Sequence, residues 1–422
     1  MKEIINEKNI LLIAYYYPPI NSGGSVRPEK MAKYLSKFGH NVTVLTQSYK
    51  RTDFTQENMI RIYDISHNKG RKGINKIKWL FLRSFTEILN LFGIYYSIYS
   101  LWKRNVIKYE KKIIDKVNPD IIITTYPPVE TLEIGLLFSK KHKIPLISDF
   151  RDGIIFEPIE KKRIKKYKCI RHRYKKIERE AAVQSDAIIT IAAPITDYFK
   201  KMYKVKSMTI LTGFDPDDFE NFPPDIKLDH SKFNIVFTGG FSLAEKFNRV
   251  DYFFESIRML ITKDPELTKR IRIHLIGDYT KKELNQLKDL IDKDIIVCHG
   301  FVERKIALAF QKEADILLII TLPDRKSSTS TKIFEYIYSK KPILGLTHKT
   351  VLSDIIEDTK TGWAVHPQKP KEISDLIFDL VTKPDLCSSI IPDPQKIKNY
   401  STESQLKNLD ILLRNILDEY EK

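Results

Sequence analysis

The sequence is poor in cysteine, and it has fewer acidic than basic residues. Three cysteines occur in 422 residues, at positions 169, 298 and 387. This number and spacing exclude a disulfide framework and a cysteine-based metal cluster, and they favour a reducing, cytoplasmic setting. The first residues, MKEIINEKNI, mix charges with short apolar pieces. We therefore expect no signal peptide.

The charge balance is strongly basic, with a formal net charge of +17. Nucleic acid, an anionic membrane surface and phosphorylated ligands all suit such a charge, so it does not choose between these partners. Hydrophobic residues make up 42% of the chain. This content excludes disorder and allows a large core, and the length allows two or three domains.

Short apolar runs alternate with amphipathic stretches along most of the chain. Near-continuous Ile, Val and Leu runs are typical of parallel strands that are buried on both faces. Their alternation with helices predicts an α/β fold with doubly wound parallel sheets. The predicted strands are 9–17, 41–47, 120–126, 144–150, 186–192 and 207–212 in the first half, and 233–240, 271–278, 294–301, 315–321, 341–347 and 362–367 in the second.

The alternation is interrupted at residues 213–232, where proline, acid and asparagine cluster without periodicity. We interpret this stretch as an interdomain linker. It predicts two α/β domains, residues 1–214 and 215–400. Residues 402–422 form an amphipathic helix with no strand after it, and we expect that helix to pack back on the first domain.

Two glycines follow the first predicted strand and precede a well-marked helix. Gly23 and Gly24 therefore lie at the carboxyl end of a strand, beside a helix N-terminus. Ligands bind at that edge of open α/β sheets, and a helix N-terminus favours anions. A plain tight turn is the alternative. The spacing is not GxGxxG, so it does not predict a Rossmann dinucleotide site.

A second candidate site lies at residues 321–347, where a strand leads through a polar loop into a helix. Hydroxyls and backbone N–H groups at a helix N-terminus suit a diphosphate, and Lys332 adds a positive charge. Glu335, one turn later, can accept hydrogen bonds from two vicinal ribose hydroxyls. A Lys332–Glu335 surface pair is the alternative. The loop residues concerned are Ser328, Thr329, Ser330 and Thr331.

The start of the second half repeats the glycine pattern. Gly239 and Gly240 end a predicted strand, and Lys246 and Arg249 follow. Two cations that face the Ser/Thr loop would complete a phosphate clamp. Solvated helix residues are the alternative for both.

Four segments, in this order and spacing, resemble a bacterial branch of glycosyltransferase family 4. The resemblance covers nearly the whole chain. It implies a GT-B fold, in which two Rossmann-like domains face each other across a cleft. The segments are YYYPPINSGGSVRPEKMAKYLSKFGHNVTVLT, ISDFRDG, ILTGFDPDDF and STSTKIFEYIYSKKPIL.

The resemblance also implies roles for the candidate residues. The nucleotide diphosphate sugar would bind the C-terminal domain and the acceptor the N-terminal one. Transfer would retain the anomeric configuration and need no metal or other cofactor. Lys246 and Arg249 would balance the charge of the leaving diphosphate, Glu335 would bind ribose, and Gly23 and Gly24 would line the acceptor side.

The sequence departs from the family pattern at two places. The family has two glutamates separated by seven residues. Glu335 fits the second, whereas the first falls at Ser327. The usual histidine of the N-terminal domain is replaced by the DFRD segment. Asp149 and Arg151 are then candidates for acceptor binding and Asp152 for catalysis, with an Arg–Asp structural pair as the alternative.

Two segments indicate a membrane or a nucleic acid. Residues 88–102 are uncharged but fall short of the roughly 20 residues that span a bilayer. They predict an interfacial segment or a helix packed in the core. Residues 161–176 contain no acid and many Lys and Arg. Anionic lipid would attract them, as would nucleic acid, on whose bases Tyr167 and Tyr174 could stack. Solvated charge is the third alternative.

We therefore predict a cytoplasmic, peripherally membrane-associated, retaining glycosyltransferase. Its partners would be a nucleotide sugar and a saccharide or polyprenyl-linked acceptor, in surface polysaccharide biosynthesis, with no nucleic acid expected. The alternatives are a sugar-nucleotide epimerase or hydrolase on the same fold, or a nucleic-acid-binding protein that uses residues 161–176.

Overall fold

The structure is a computed structural model that describes most of the chain. Residues 1–212 with 405–422 form one compact unit, and residues 213–404 form the other. Side chains at 74–76, 78 and 250 are not described. The described residues are 7–20, 23–48, 50–64, 74–158, 161–220, 226–240, 250–321, 325–327, 329–383 and 385–421.

The first unit is built on a seven-stranded sheet in the order β3-β2-β1-β4-β5-β6-β7. All neighbouring strands are parallel, and the register places Ile10 of β1 between Val42 and Ile121. The order reverses at β1, whose carboxyl end leads to Gly23. The strands are β1 Asn9–Ile13, β2 Asn41–Ser48, β3 Met59–Tyr63, β4 Ile121–Tyr126, β5 Leu146–Phe150, β6 Ala187–Thr190 and β7 Ser207–Thr209.

Helices cover this sheet, and the C-terminal helix Thr402–Tyr420 belongs to its core. Leu409 and Leu413 of that helix are fully buried in one cluster with Ile10 and Ile123. Apolar burial of this kind is the main driving force for docking a helix on a sheet. The other helices are Gly23–Lys37, Ile74–Leu91, Ser100–Lys108, Glu110–Val117, Val129–His142, Lys161–Lys166, Lys168–Gln184 and Ala193–Tyr203.

The second unit is built on a six-stranded parallel sheet in the order β10-β9-β8-β11-β12-β13. The order reverses at β8, whose carboxyl end leads to Gly239. Each unit therefore confirms the predicted doubly wound parallel sheet. The strands are β8 Phe233–Thr238, β9 Ile271–Ile276, β10 Ile296–Gly300, β11 Ile316–Ile320, β12 Ile343–Leu346 and β13 Gly362–Val365.

Helices on both faces of this second sheet enclose a core of Ile, Leu, Val and Phe side chains. A short 3-10 helix, Pro216–Phe219, lies within the stretch that the sequence predicts as a linker. The helices are Val250–Lys263, Leu267–Arg270, Lys281–Gln286, Lys288–Ile291, Arg304–Glu313, Thr331–Ser339, Val351–Thr359, Pro370–Thr382, Asp385–Ser388 and Pro394–Asn399.

Two features differ from the prediction. Strand β3 was missed, because an edge strand buries alternate residues and its sequence, MIRIY, has no continuous apolar run. Residues 88–102 do not form one helix. Helix Ile74–Leu91 ends within them, Gly93 has a positive φ of 82°, and the next helix begins at Ser100. Across the described residues, no helix is both long and apolar enough to cross a bilayer.

Candidate active site

The carboxyl end of β8 is shaped around a lysine. Gly239 has a φ of +124°, which favours glycine. Its backbone N–H donates to the Ile276 carbonyl at 2.7 Å, and its carbonyl accepts from the Tyr279 hydroxyl at 2.7 Å. A Cβ at position 239 would lie 2.0 Å from Lys332 Nζ. Only glycine therefore allows this lysine to approach the end of the strand.

Lys332 lies in the first turn of helix Thr331–Ser339. Ser330 caps that helix by accepting from the Lys332 backbone N–H at 3.3 Å. Burial lowers the pKa of Lys332, and the charge of Glu335 opposes the shift. Among the described residues, Lys332 forms no ion pair. A partly desolvated cation beside a positive helix end is electrostatically unfavourable, and a bound anion would offset that cost.

Glu335 is bound by Arg304 rather than by Lys332. Arg304 Nη2 donates to Glu335 Oε1 at 2.9 Å and also to Asp218 Oδ2 at 2.8 Å. Gln311 Nε2 donates to Glu335 Oε2 at 3.2 Å. Burial alone would lower the pKa of Arg304, but the Glu335 and Asp218 carboxylates outweigh burial and raise it. Arg304 and Gln311 thus hold the Glu335 side chain in one orientation, with 15% of it exposed.

A polar network connects this carboxylate to the end of β8. The Tyr336 hydroxyl lies 3.0 Å from Thr238 Oγ1, and Gln311 Nε2 donates to the same oxygen at 3.3 Å. Because Tyr336 and Gln311 are buried, these bonds fix helix Thr331–Ser339 against the strand. Arg304, Gln311 and Asp218 were not predicted. No local sequence pattern links them to Glu335, and only the fold brings them together, since Arg304 and Glu335 lie 31 residues apart.

The structure describes some of the remaining residues predicted for the donor site. Thr329 Oγ1 is buried, and no described residue bonds to it. A buried hydroxyl without a partner costs free energy unless a ligand or water satisfies it. Ser327 is buried as well, and Gly240 is exposed at the end of β8. Lys246, Arg249 and Ser328 lie outside the described residues.

The first unit places the DFRD segment at the carboxyl end of β5. Arg151 is 7% exposed, and its guanidinium donates to the backbone carbonyls of Tyr126, Pro127 and Gly24. A Cβ at position 24 would lie 3.1 Å from Arg151 Nη1. Gly24 therefore makes room for an arginine that joins β4 to helix Gly23–Lys37. Burial lowers the pKa of Arg151, while Asp149 and Asp152 oppose the shift.

Asp149 lies in the interior and is paired with a different arginine. Its side chain is fully buried, and Arg27 binds it with Nε at 3.0 Å and with Nη2 at 2.8 Å. Arg27 Nη1 also donates to the Ile210 carbonyl at 2.6 Å. A structural Arg–Asp pair is therefore present, formed by Arg27. Asp152 is half-buried, and the space beside Gly23 is open.

The two tyrosines proposed to stack on bases are buried. Tyr167 is 3% exposed and Tyr174 is 7% exposed. Tyr167 donates to Glu87, and Tyr174 packs against Tyr95 with ring centroids 6.2 Å apart. The stacking prediction for these residues is wrong, because their rings are part of the folded core. Among the described residues, no group of three His, Cys, Asp or Glu side chains could hold a metal ion.

Two family models match the chain in succession. The model described as Glycosyltransferase Family 4 matches residues 21–218, and the model described as Glycosyl transferases group 1 matches residues 232–383. The chain belongs to glycosyltransferase family 4. The predicted family and the prediction that the protein is a glycosyltransferase are therefore confirmed.

Solved structures confirm the GT-B fold of this glycosyltransferase. Sucrose-phosphate synthase from Thermosynechococcus elongatus superposes with a TM-score of 0.69 at 12% identity, over 97% of this chain and 99% of that one. Alr3699/HepE from Anabaena, in complex with UDP-glucose, superposes with a TM-score of 0.61 at 13% identity, over 96% and 99%. Identities this low establish the fold alone.

A curated relative matches part of the chain. Poly(ribitol-phosphate) alpha-N-acetylglucosaminyltransferase from Staphylococcus aureus (strain COL) is 21% identical over 209 residues. The match covers 48% of this glycosyltransferase and 41% of the relative. The chain therefore spans about two fifths of the length of that relative.

Proposed function

We propose that this glycosyltransferase moves a sugar from a nucleotide diphosphate sugar to a saccharide or polyprenyl-linked acceptor, with retention of the anomeric configuration. The observation that carries the donor assignment is the preformed anion position at Lys332. A half-buried cation that has no ion pair among the described residues lies beside a capped helix N-terminus. A diphosphate supplies the negative charge that such a position lacks.

Glu335 is the proposed ligand of the donor ribose. Arg304 and Gln311 hold its two oxygens from one side. A carboxylate oxygen accepts more than one hydrogen bond, so two vicinal hydroxyls can still bind. Fixing the carboxylate in advance lowers the entropic cost of ordering the donor.

The leaving diphosphate is proposed to be stabilised without a metal. Lys332 and the N–H groups of the first helical turn would balance its developing charge, which is the function that a divalent cation serves in other enzymes. Lys246 and Arg249 remain proposed members of this cluster. Asp152 remains the proposed catalytic carboxylate, because it is half-buried and so partly accessible, whereas Asp149 is fully buried.

The acceptor is proposed to be a surface polymer or its lipid-linked precursor. The S. aureus relative is named for a poly(ribitol-phosphate) substrate, and a net charge of +17 suits an acceptor that carries phosphates. Such an acceptor would place the enzyme at the cytoplasmic face of the membrane as a peripheral protein.

The donor site is tested by thermal-shift measurements with UDP-, GDP-, ADP- and CMP-linked sugars. Binding stabilises the folded state by mass action. We expect stabilisation by one nucleotide class, unchanged by EDTA. In Glu335→Ala the affinity should fall about tenfold or more, since charged hydrogen bonds of about 1.5–3 kcal/mol are lost. The matched control is Glu372→Ala, which removes an exposed helical glutamate of the same unit.

Three outcomes would contradict this proposal. Equal thermal shifts in wild type and Glu335→Ala would contradict the proposal that Glu335 binds the donor ribose. Loss of the thermal shift in EDTA would mean that donor binding requires a metal ion, which contradicts the metal-independent proposal. Release of nucleotide at full rate without any acceptor would favour an epimerase or hydrolase on the same fold.

A further inference from the structure

Helix Ile74–Leu91 presents an apolar stripe to solvent. Its exposed residues recur at helical spacing, so they share one face. Phe81 is 74% exposed, and Phe92, just beyond the helix, is 79% exposed. We call this set the apolar stripe. Its members are Ile77, Leu80, Phe81, Phe85, Ile88, Leu91 and Phe92.

The opposite side of the same helix contacts the protein partly through polar groups. Thr86 and Asn90 are each 2% exposed, beside half-buried Leu82 and Leu89. Asn90 Nδ2 donates to the Tyr96 carbonyl at 2.9 Å, and Thr86 Oγ1 donates to the Arg83 carbonyl at 2.7 Å. An ordinary surface helix buries its apolar face. Here the polar atoms are satisfied inside, and a large apolar area faces outward.

The basic segment is fixed beside this helix. Glu87 on the helix accepts a hydrogen bond from Tyr167 and lies 3.8 Å from Arg163 Nη2. Cys169 Sγ lies 3.4 Å from the Asn90 carbonyl. Helix Lys161–Lys166 and the start of Lys168–Gln184 therefore lie beside the helix that carries the stripe. The exposed cations of this basic rim are Lys161, Lys162, Lys165, Lys166, Lys168 and Arg171.

An apolar stripe next to a row of cations matches the chemistry of an anionic bilayer surface. The stripe would enter the boundary between headgroups and acyl chains, and the cations would meet lipid phosphates. Arg83 also lies over the Trp79 ring, 5.3 Å from its centroid, and such residues are favoured at that depth. A neutral or basic protein partner would not use the basic rim.

We propose that the apolar stripe and the basic rim together form a docking surface for an anionic lipid bilayer. The helix would lie in the plane of the interface, since no described helix qualifies to cross the membrane. This inference rests on the proposed function, because a lipid-linked acceptor requires the enzyme at the membrane. It adds the surface by which the enzyme would reach it.

The first test is co-sedimentation of the full chain with vesicles of phosphatidylcholine alone or mixed with phosphatidylglycerol, at low salt. We expect binding to the mixed vesicles, weakened by added salt. Phe81→Ser/Phe85→Ser should lower the partition coefficient about tenfold or more, because two large apolar groups no longer enter the lipid. The matched control is Phe301→Ser/Ile391→Ser, at two exposed apolar positions of the other unit.

The second test separates charge at the rim from net charge. Lys162→Glu/Lys165→Glu should also lower the partition coefficient about tenfold or more. Lys281→Glu/Lys282→Glu changes the net charge equally, at exposed positions of the other unit, and should leave the binding within about twofold. Equal losses in both variants would mean that only the overall charge matters, which overturns the docking surface.

Three other outcomes would also overturn the proposal. The wild type could fail to bind mixed vesicles, or Phe81→Ser/Phe85→Ser could bind them as well as the wild type does. The wild type could also sediment as a dimer that this variant dissociates, which would assign the stripe to contact with a second copy. The nucleotide-sugar thermal shift is measured on every variant. An intact shift with lost vesicle binding supports the docking surface. Vesicle binding by a protein that shows no nucleotide-sugar thermal shift would contradict the proposed donor site but not the docking surface.

Discussion

Each unit contains an arginine bound to a carboxylate near the carboxyl ends of its strands, and the two pairs differ in their access to solvent. Arg27 and Asp149 are 3% and 0% exposed, whereas Arg304 and Glu335 are 40% and 15% exposed. In the first pair, the polar groups of both side chains form hydrogen bonds inside the protein. In the second, Lys332 stands nearby without an ion pair among the described residues.

The comparison separates a fully buried Arg–Asp pair from a partly exposed Arg–Glu pair of the same chemistry. A buried pair contributes little net stability when intact, but breaking it is costly. A partly exposed carboxylate beside a cation that has no ion pair among the described residues leaves groups that a ligand can bind. Residue type alone therefore does not indicate function, whereas burial and the balance of partners do.

The largest effect is expected at the structural pair. Asp149→Ala leaves Arg27 charged and buried, so the first unit should lose about 3–5 kcal/mol of unfolding free energy. Because the chain has two units, native-state hydrogen exchange of the β4 and β5 amides is the suitable measurement. Arg27→Met/Asp149→Leu, which removes both charges, should recover most of the loss. A loss below about 1 kcal/mol in Asp149→Ala would contradict the structural role.

At Lys332 the expected effect is on binding rather than on stability. Lys332→Met should weaken nucleotide-sugar binding about tenfold to a hundredfold, since a charged phosphate contact disappears. The second unit should not lose stability, because an unfavourable half-buried cation is removed. Titration calorimetry and hydrogen exchange measure the two effects. Lys371→Met, at an exposed helical lysine, is the control, and a large loss of stability in Lys332→Met would make this lysine structural.

The stability of the second unit should also depend on pH through Lys332. Burial lowers its folded-state pKa below the ordinary 10.5. Between the two values the unfolded chain holds more protons, so stability increases as pH rises through the folded pKa. The stability of wild type relative to Lys332→Met should therefore increase with pH between the lowered folded-state pKa and the ordinary 10.5. Parallel pH profiles of the two proteins would contradict this.

The smallest effect is expected at Gly239, which acts through Lys332. In Gly239→Ala the new Cβ displaces Lys332 Nζ, so donor affinity should fall about threefold to tenfold, less than in Lys332→Met. Gly300→Ala is the matched control, because Gly300 also has a positive φ, of 70°, but no atom lies within 4 Å of the added Cβ. Combining Gly239→Ala with Lys332→Met should add no further loss. Additive losses would mean that Gly239 contacts the donor directly.

Much of the fold was predictable because its signals are local. Buried parallel strands have continuous apolar runs, and each predicted strand overlaps an observed one. The glycines at 23–24 and 239–240 marked the sites where the strand order of each sheet reverses. Strand β3 escaped because only alternate residues of an edge strand are buried.

The partners within each site were not predictable, because they come from distant parts of the chain. Arg27 and Asp149 are 122 residues apart, and Arg304 and Glu335 are 31 apart. Nothing near Asp149 in the sequence distinguishes an internal carboxylate from an acceptor ligand. The DFRD motif itself favours the adjacent Arg151, which instead binds backbone carbonyls.

The sequence by itself determined the α/β class, the division into two halves, the family and the helix that carries Lys332 and Glu335, because apolar periodicity and motif order are properties of the chain. The tertiary structure decided which charges are satisfied. It paired Asp149 with Arg27, bound Glu335 to Arg304 and turned the apolar stripe of helix Ile74–Leu91 outward. The physical reason is that desolvation and ion pairing depend on all neighbours in space, and the fold alone brings those neighbours together.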